Sequence, residues 1–226
     1  MDSSFNAQYL YPFQDRILAL INSLELGFYL TGGTALSRYY LQHRYSDDLD
    51  LFVNNASEFK GLVSRIERKM QLEDIKFNVI TRGEDFVRME AFDANDTRLI
   101  VDLVNDRVLH IGDFVESVQL GRVDNVMNIL SNKISALPRL EIKDFVDVAF
   151  IAIKYRFNWE SIVKDAMQKD AWVNPIDVSR YFSTTTPKLF DKINWVNPVN
   201  NEYLYSALQT ISNDILKGSD NSLYMP

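Results

Sequence analysis

Two short stretches carry the residues best suited to chemistry. One is Leu30-Thr31-Gly32-Gly33-Thr34-Ala35-Leu36, the other Tyr45-Ser46-Asp47-Asp48-Leu49-Asp50-Leu51-Phe52. Gly32-Gly33 falls between a strand and a helix start. Glycines there let the backbone come close to a ligand, and the N–H groups of a helix start attract phosphate. Alone, such a pair is usually a simple turn. Asp48 and Asp50 stand at i and i+2, so on a strand their carboxylates share one face. Like charges side by side repel, and a divalent cation removes the repulsion. A solvated strand edge would explain the pair without a cation, but Leu49, Leu51, Phe52 and Val53 read as a buried strand. A third carboxylate is expected from a neighbouring strand. Asp102 stands in the apolar run Arg98-Leu99-Ile100-Val101-Asp102-Leu103-Val104, where an isolated Asp is either functional or paired, here with Arg98 or Arg88. Glu90, on the preceding strand, competes for the same place.

Composition narrows the chemistry. The 226 residues include no cysteine and two histidines, His43 and His110. Disulfides, thiolate nucleophiles and thiolate metal sites are excluded, a His-rich zinc site is disfavoured, and a Ser-His hydrolase has little to draw on. The metal expected is a hard cation held by carboxylates, Mg²⁺ or Mn²⁺. The formal net charge of −7 argues against broad non-specific nucleic-acid binding but leaves room for a local basic cleft. The opening Met1-Asp2-Ser3-Ser4-Phe5-Asn6 has neither the basic nor the apolar region of a signal peptide, and no apolar run is long enough for a membrane span. A cytoplasmic location and no membrane partner are the default expectations.

The elements that must position these residues change character near residue 120. Helical periodicity covers Phe13 to Leu24 and Ser57 to Met70, and a helix is expected from Thr34 to about Leu41. Strand patterns cover Phe28 to Leu30, Asp48 to Val53, Ile75 to Thr81, Phe86 to Phe92 and Leu99 to Val104, the last three as an antiparallel meander. Beyond them, Val123 to Leu137, Glu141 to Tyr155, Trp159 to Asp170, Pro175 to Phe182 and Asn200 to Leu216 read as helices. The prediction is an α/β (α+β) architecture. A mixed sheet flanked by helices fills residues 1–120, and a helical domain fills 121–226. The tail from Lys217 is expected to be poorly ordered. His43 reads as a surface residue, His110 as a strand end, and Trp159, Trp172 and Trp195 as packing residues that could otherwise line an acceptor groove.

Gly32-Gly33-Thr34-Ala35-Leu36, Ser46 and Asp48-Leu49-Asp50-Leu51-Phe52 closely resemble the AbiEii/AbiGii toxin family of nucleotidyltransferases, part of the DNA polymerase β-like superfamily. The resemblance continues into Lys133, Arg139, Lys143-Asp144 and Asp147, and covers roughly residues 28–150. It implies transfer of a nucleoside monophosphate from an NTP to an acceptor, with RNA or tRNA as a candidate acceptor and an antitoxin as a candidate partner. It implies that Asp48 and Asp50 bind the metal and the triphosphate, and that Asp102 completes the metal site or acts as general base. By the same resemblance Gly32, Gly33 and Thr34 hold phosphates, Ser46 touches phosphate or metal, and Lys133 binds the triphosphate. Asp144 and Asp147 orient Lys133 or Arg139, or contact the nucleotide; plain salt bridging explains them nearly as well. Arg44 is a further phosphate candidate. Two other classes compete. A nucleotide-sugar glycosyltransferase also uses Asp-x-Asp, but nothing here supports a sugar site. A non-catalytic binding module would have little reason to keep Asp48, Asp50 and Asp102. A phosphatase that opens on Asp-x-Asp is rejected, because Asp50 is followed by Leu51-Phe52 and the motif lies far from the N-terminus.

Overall fold

The computed structural model describes residues 5–225, so most of the opening segment, Met1 to Ser4, lies outside the described residues. The chain forms two compact units. Unit 1 comprises Met1–Ala35, Tyr45–Val108 and Asp113–Asn125; unit 2 comprises Leu36–Arg44, Leu109–Gly112 and Val126–Pro226.

Unit 1 is built on a seven-stranded mixed sheet in the order β3-β4-β5-β2-β1-β7-β6. Its strands are β1 (Tyr29–Thr31), β2 (Asp48–Asn54), β3 (Lys76–Arg82), β4 (Phe86–Phe92), β5 (Arg98–Asp106), β6 (Val115–Ser117) and β7 (Gly121–Val123). β3, β4 and β5 form the expected antiparallel meander, β2 runs parallel to β5, and β1 runs antiparallel to β2. Strict alternation divides the two faces. Leu49, Leu51 and Val53 of β2, Val87, Met89 and Ala91 of β4, and Leu99, Val101 and Leu103 of β5 are all buried. Helices α1 (Tyr11–Asn22), α2 (Gly32–Ala35) and α3 (Phe59–Leu72) accompany the sheet. α1 and α3 supply further apolar stripes, Phe13, Ile17, Leu20 and Ile21 from one and Phe59, Val63, Ile66 and Met70 from the other. The opposite face of β2 carries Asp48, Asp50, Phe52 and Asn54, all half-buried. β6 and β7 were not anticipated. Each spans three residues, too few for an alternation to show. β7 takes the place where the helix expected from Val123 would begin, because Val123 pairs in parallel with Leu30.

Unit 2 is helical: α4 (Val126–Ala136), α5 (Ile142–Lys154), α6 (Trp159–Met167), α7 (Pro175–Ser183) and α8 (Asn201–Lys217). Asparagine side chains cap three of the N-termini. Asn158 accepts from the Ser161 N–H, Asn174 from Asp177, and Asn200 from Glu202 and Tyr203. α5 is the most deeply buried, with Val146, Val148, Ala149, Ile151 and Ala152 at 0% exposure. The tail corrects the expectation of disorder. Asn221 donates to the carbonyls of Ala152 and Tyr155 at 2.6 and 2.8 Å, and Asp214 accepts from the N–H and hydroxyl of Ser222. Polar side chains do this anchoring, and hydrophobic periodicity does not register them. Among the described residues no helix is long and apolar enough to cross a membrane.

Candidate active site

The register of unit 1 assembles the carboxylates. Asp50 on β2 pairs directly with Asp102 on β5, and Asp48 with Ile100. Directly paired residues present their side chains to the same face, so Asp48, Asp50 and Asp102 share the half-buried side of the sheet. Glu90, the rival third carboxylate, is opposite Ile100, one strand further from Asp48, and is bound by Arg98. Asp102 is therefore the carboxylate next to Asp50. Its oxygens are both taken by Arg88, at 2.8 Å from Nε and 2.6 Å from Nη2, so the salt bridge weighed in the sequence is formed. Arg88 titrates above the ordinary arginine range, chiefly through its hydrogen bond to Asp102 and against some burial, with Asp48 and Asp50 adding to the effect.

The glycines sit at the edge of this group. The short helix α2 follows β1 directly. Gly32 has φ +66°, and a Cβ built on it would stand 3.1 Å from Cγ of Asp50 and closer still to Oδ2. Only glycine therefore lets the backbone lie against that carboxylate. The buried Thr34 hydroxyl makes two bonds, to the Ser46 hydroxyl at 3.0 Å and to the carbonyl of Asp48. They tie the helix start to the entry of β2. Because β2 begins at Asp48, Ser46 lies outside the strand.

The donor set suits a hard divalent cation in kind, three carboxylates on one face beside a backbone kept bare by glycine. As they stand, no three His, Asp or Glu side chains among the described residues are placed to hold one ion.

The later motif builds a different object, inside unit 2. Asp147 is fully buried and accepts from Arg44 Nε and Nη2 at 2.7 Å each and from His43 Nε2 at 2.8 Å. Lys133 Nζ lies 2.8 Å from Asp147 and 2.6 Å from Asp144, and Arg139 reaches Asp144 at 3.2 Å. Burial alone would raise Asp147, but Arg44, Lys133 and the His43 hydrogen bond hold it well below the usual carboxylate range. Burial alone would lower Lys133; Asp147 and Asp144 outweigh it and keep the ammonium above the ordinary lysine value. His43 corrects the surface reading. It is 5% exposed, and burial outweighs the Asp147 carboxylate and lowers its pKa. Arg44, considered for phosphate, is 4% exposed and committed to Asp147. His110 lies beyond the end of β5. Trp159 is buried, while Trp172 donates to the Ser135 carbonyl and meets Tyr181 edge-on at 5.3 Å.

Two polar residues escaped the sequence reading. Asp124, fully buried, accepts from the Thr31 hydroxyl at 2.6 Å. In the sequence it sits inside the stretch read as a helix start. Lys169 is bound by the side chains of Asn128, Ser131 and Asn132 at 2.6–2.7 Å, a contact no local pattern announces.

Residues 16–193 match the family described as the nucleotidyl transferase AbiEii toxin of a type IV toxin–antitoxin system. The chain belongs to that family and is a nucleotidyltransferase. No curated protein matches it. Among solved structures, MenT4, a nucleotidyltransferase toxin of Mycobacterium tuberculosis H37Rv, superposes with a TM-score of 0.62 at 14% identity, covering 96% of this chain and 86% of that one. JHP933 from Helicobacter pylori superposes at 0.60 with 17% identity, covering 93% of each chain. At these identities the likeness establishes the shared fold.

Proposed function

We propose that the chain moves a nucleoside monophosphate from an NTP to a hydroxyl of an RNA acceptor, tRNA being the first candidate, and that a cognate antitoxin restrains it. The observation that carries the chemistry is the strand register that sets Asp50 beside Asp102, with Asp48 on the same face. In the reaction the acceptor oxygen bonds to the α-phosphorus, the bond from that phosphorus to the β-bridging oxygen breaks, and pyrophosphate leaves. Asp48, Asp50 and Asp102 would hold a divalent cation, Mg²⁺ or Mn²⁺. When bound, the cation would screen the triphosphate and stabilise the charge developing on pyrophosphate. Asp102 takes the hydroxyl proton, which requires it to leave Arg88. The backbone of Gly32, Gly33 and Thr34 approaches the phosphates, since no side chain stands on Gly32 or Gly33. Lys133, Asp144 and Asp147 are not assigned to the nucleotide, because their charges already satisfy one another.

The test is calorimetric titration with each NTP, with and without Mg²⁺, on the wild type and on Asp48→Ala/Asp50→Ala. The expected result is Mg²⁺-dependent binding that the double variant loses while keeping its circular dichroism. Binding of no NTP by folded wild type, or equal binding by the double variant, would overturn the proposal.

A further inference from the structure

Arg88, Asp102, Asp50 and Thr31 form one row across the sheet, each the direct cross-strand partner of the next. The row is anchored at one end by the fork-on-fork pair of Arg88 with Asp102, a geometry that uses two guanidinium nitrogens and that lysine cannot copy. The two partners differ in access to solvent. The Arg88 side chain is 45% exposed and that of Asp102 is 10% exposed, so the arginine is the partner that can move away. Two nearby arginines are engaged elsewhere. Arg98 is held by Glu90, and Arg107, beyond the end of β5, by Asp85. Arg88 also lies over the Phe86 ring, 5.7 Å from the centroid, which supports the guanidinium from below.

We propose that Arg88 is a built-in counter-cation for the third carboxylate, competing with the divalent cation for Asp102, so that cation binding and release of the guanidinium are one event. The inference rests on the reading of Asp48, Asp50 and Asp102 as the cation site. A ligand that must first open such a pair binds more weakly by the fraction of time the pair is open. The site would then fill poorly with cation alone and well with cation accompanied by the triphosphate, which brings oxygen ligands of its own. Arg88 is thus a positioning residue: it acts through Asp102.

The measurement is Mn²⁺ binding to the whole chain, followed by the loss of the free-ion electron paramagnetic resonance signal, on the wild type, Arg88→Gln, Arg88→Lys and Asp48→Asn/Asp50→Asn. The expected result is about tenfold tighter Mn²⁺ binding by Arg88→Gln, corresponding to about 1.4 kcal/mol, with Arg88→Lys in between. A second readout needs no substitution at Arg88: modification of its guanidinium by phenylglyoxal, mapped by mass spectrometry, should rise when Mn²⁺ is added to the wild type. Wild type that binds Mn²⁺ through Asp48 and Asp50, with Arg88→Gln binding no more tightly, would overturn the competition and leave the cation site standing. Absence of Mn²⁺ binding in wild type and Arg88→Gln alike would overturn both. If Arg88→Gln does not fold, unchanged phenylglyoxal reactivity on Mn²⁺ addition overturns the competition.

Discussion

Replacing Asp147 by Asn should cost about 3–5 kcal/mol of stability, the range for breaking a buried ion pair by removing one partner. The substitution keeps the shape and removes the charge. Asp147 has no exposure and receives two bonds from Arg44, one from His43 and the ammonium of Lys133. In its absence Arg44 remains buried without its carboxylate, while Lys133 keeps Asp144. The larger part of the loss should therefore come from Arg44. Urea unfolding measures it, with a midpoint about 1–2.5 M lower for a slope of about 2–3 kcal/mol per molar. Tryptophan fluorescence is a suitable probe because Trp159, Trp172 and Trp195 all belong to unit 2. Lys133→Met should cost less, about 1–3 kcal/mol, since Asp147 then keeps Arg44 and His43. The double variant should fall short of the sum, because the two changes remove a shared pair. A midpoint for Asp147→Asn within about 0.3 M of wild type would refute the view that this cluster holds unit 2 together.

Two further outcomes follow from the same geometry. Gly32→Ala forces a Cβ onto a backbone at φ +66° and against the Asp50 carboxylate; it should cost about 1–2 kcal/mol in thermal denaturation and at least tenfold in NTP affinity by calorimetry, and wild-type behaviour in both would show that the backbone need not lie so close. The acid limb of stability should carry the mark of Asp147 and His43. Both have folded-state values below their unfolded ones, so each contributes stability that is present above the unfolded value and lost as pH falls. For His43 that loss begins near pH 6.5, and for Asp147 below about pH 4. The urea midpoint of wild type should therefore decline in two stages and approach that of Asp147→Asn at the acid end; a constant gap down to pH 2 would contradict this.

The strands that carry chemistry were legible because alternation is a strong signal where one face is buried. β4 has its expected limits, and β2 begins at the expected Asp48. Asp102 could be singled out because one charge interrupts an apolar run. Its relation to Glu90 could not, since register across strands is a long-range property and each strand alone permits either carboxylate. The five helices of unit 2 were legible from period and proline placement. The burial of His43 and Arg44 was not. They lie in an irregular segment, and what draws them inward is Asp147, more than a hundred positions away in the chain. The family resemblance singled out Lys133, Arg139, Asp144 and Asp147, but the ion pairs among them are visible only in the folded chain.

The two motif halves place aspartates in opposite physical conditions, and this decides how each can act. Asp147 has no exposure and its oxygens are met by Arg44, His43 and Lys133. A carboxylate so satisfied cannot take on a cation or a proton without losing what already stabilises the fold. Asp48 and Asp50 are half-buried on a sheet face, with an arginine that solvent can reach on the neighbouring Asp102. The packing there is carried by the alternate positions Leu49, Leu51, Val101 and Leu103, which are buried. Substitutions in the two groups should therefore separate. Asp48→Asn and Asp50→Asn should abolish cation-dependent NTP binding with a urea midpoint near that of wild type, whereas Asp147→Asn should lower the midpoint at every nucleotide concentration. If the Asp48 and Asp50 variants unfolded as readily as Asp147→Asn, their carboxylates would be structural too, and the strand register would no longer argue for a site.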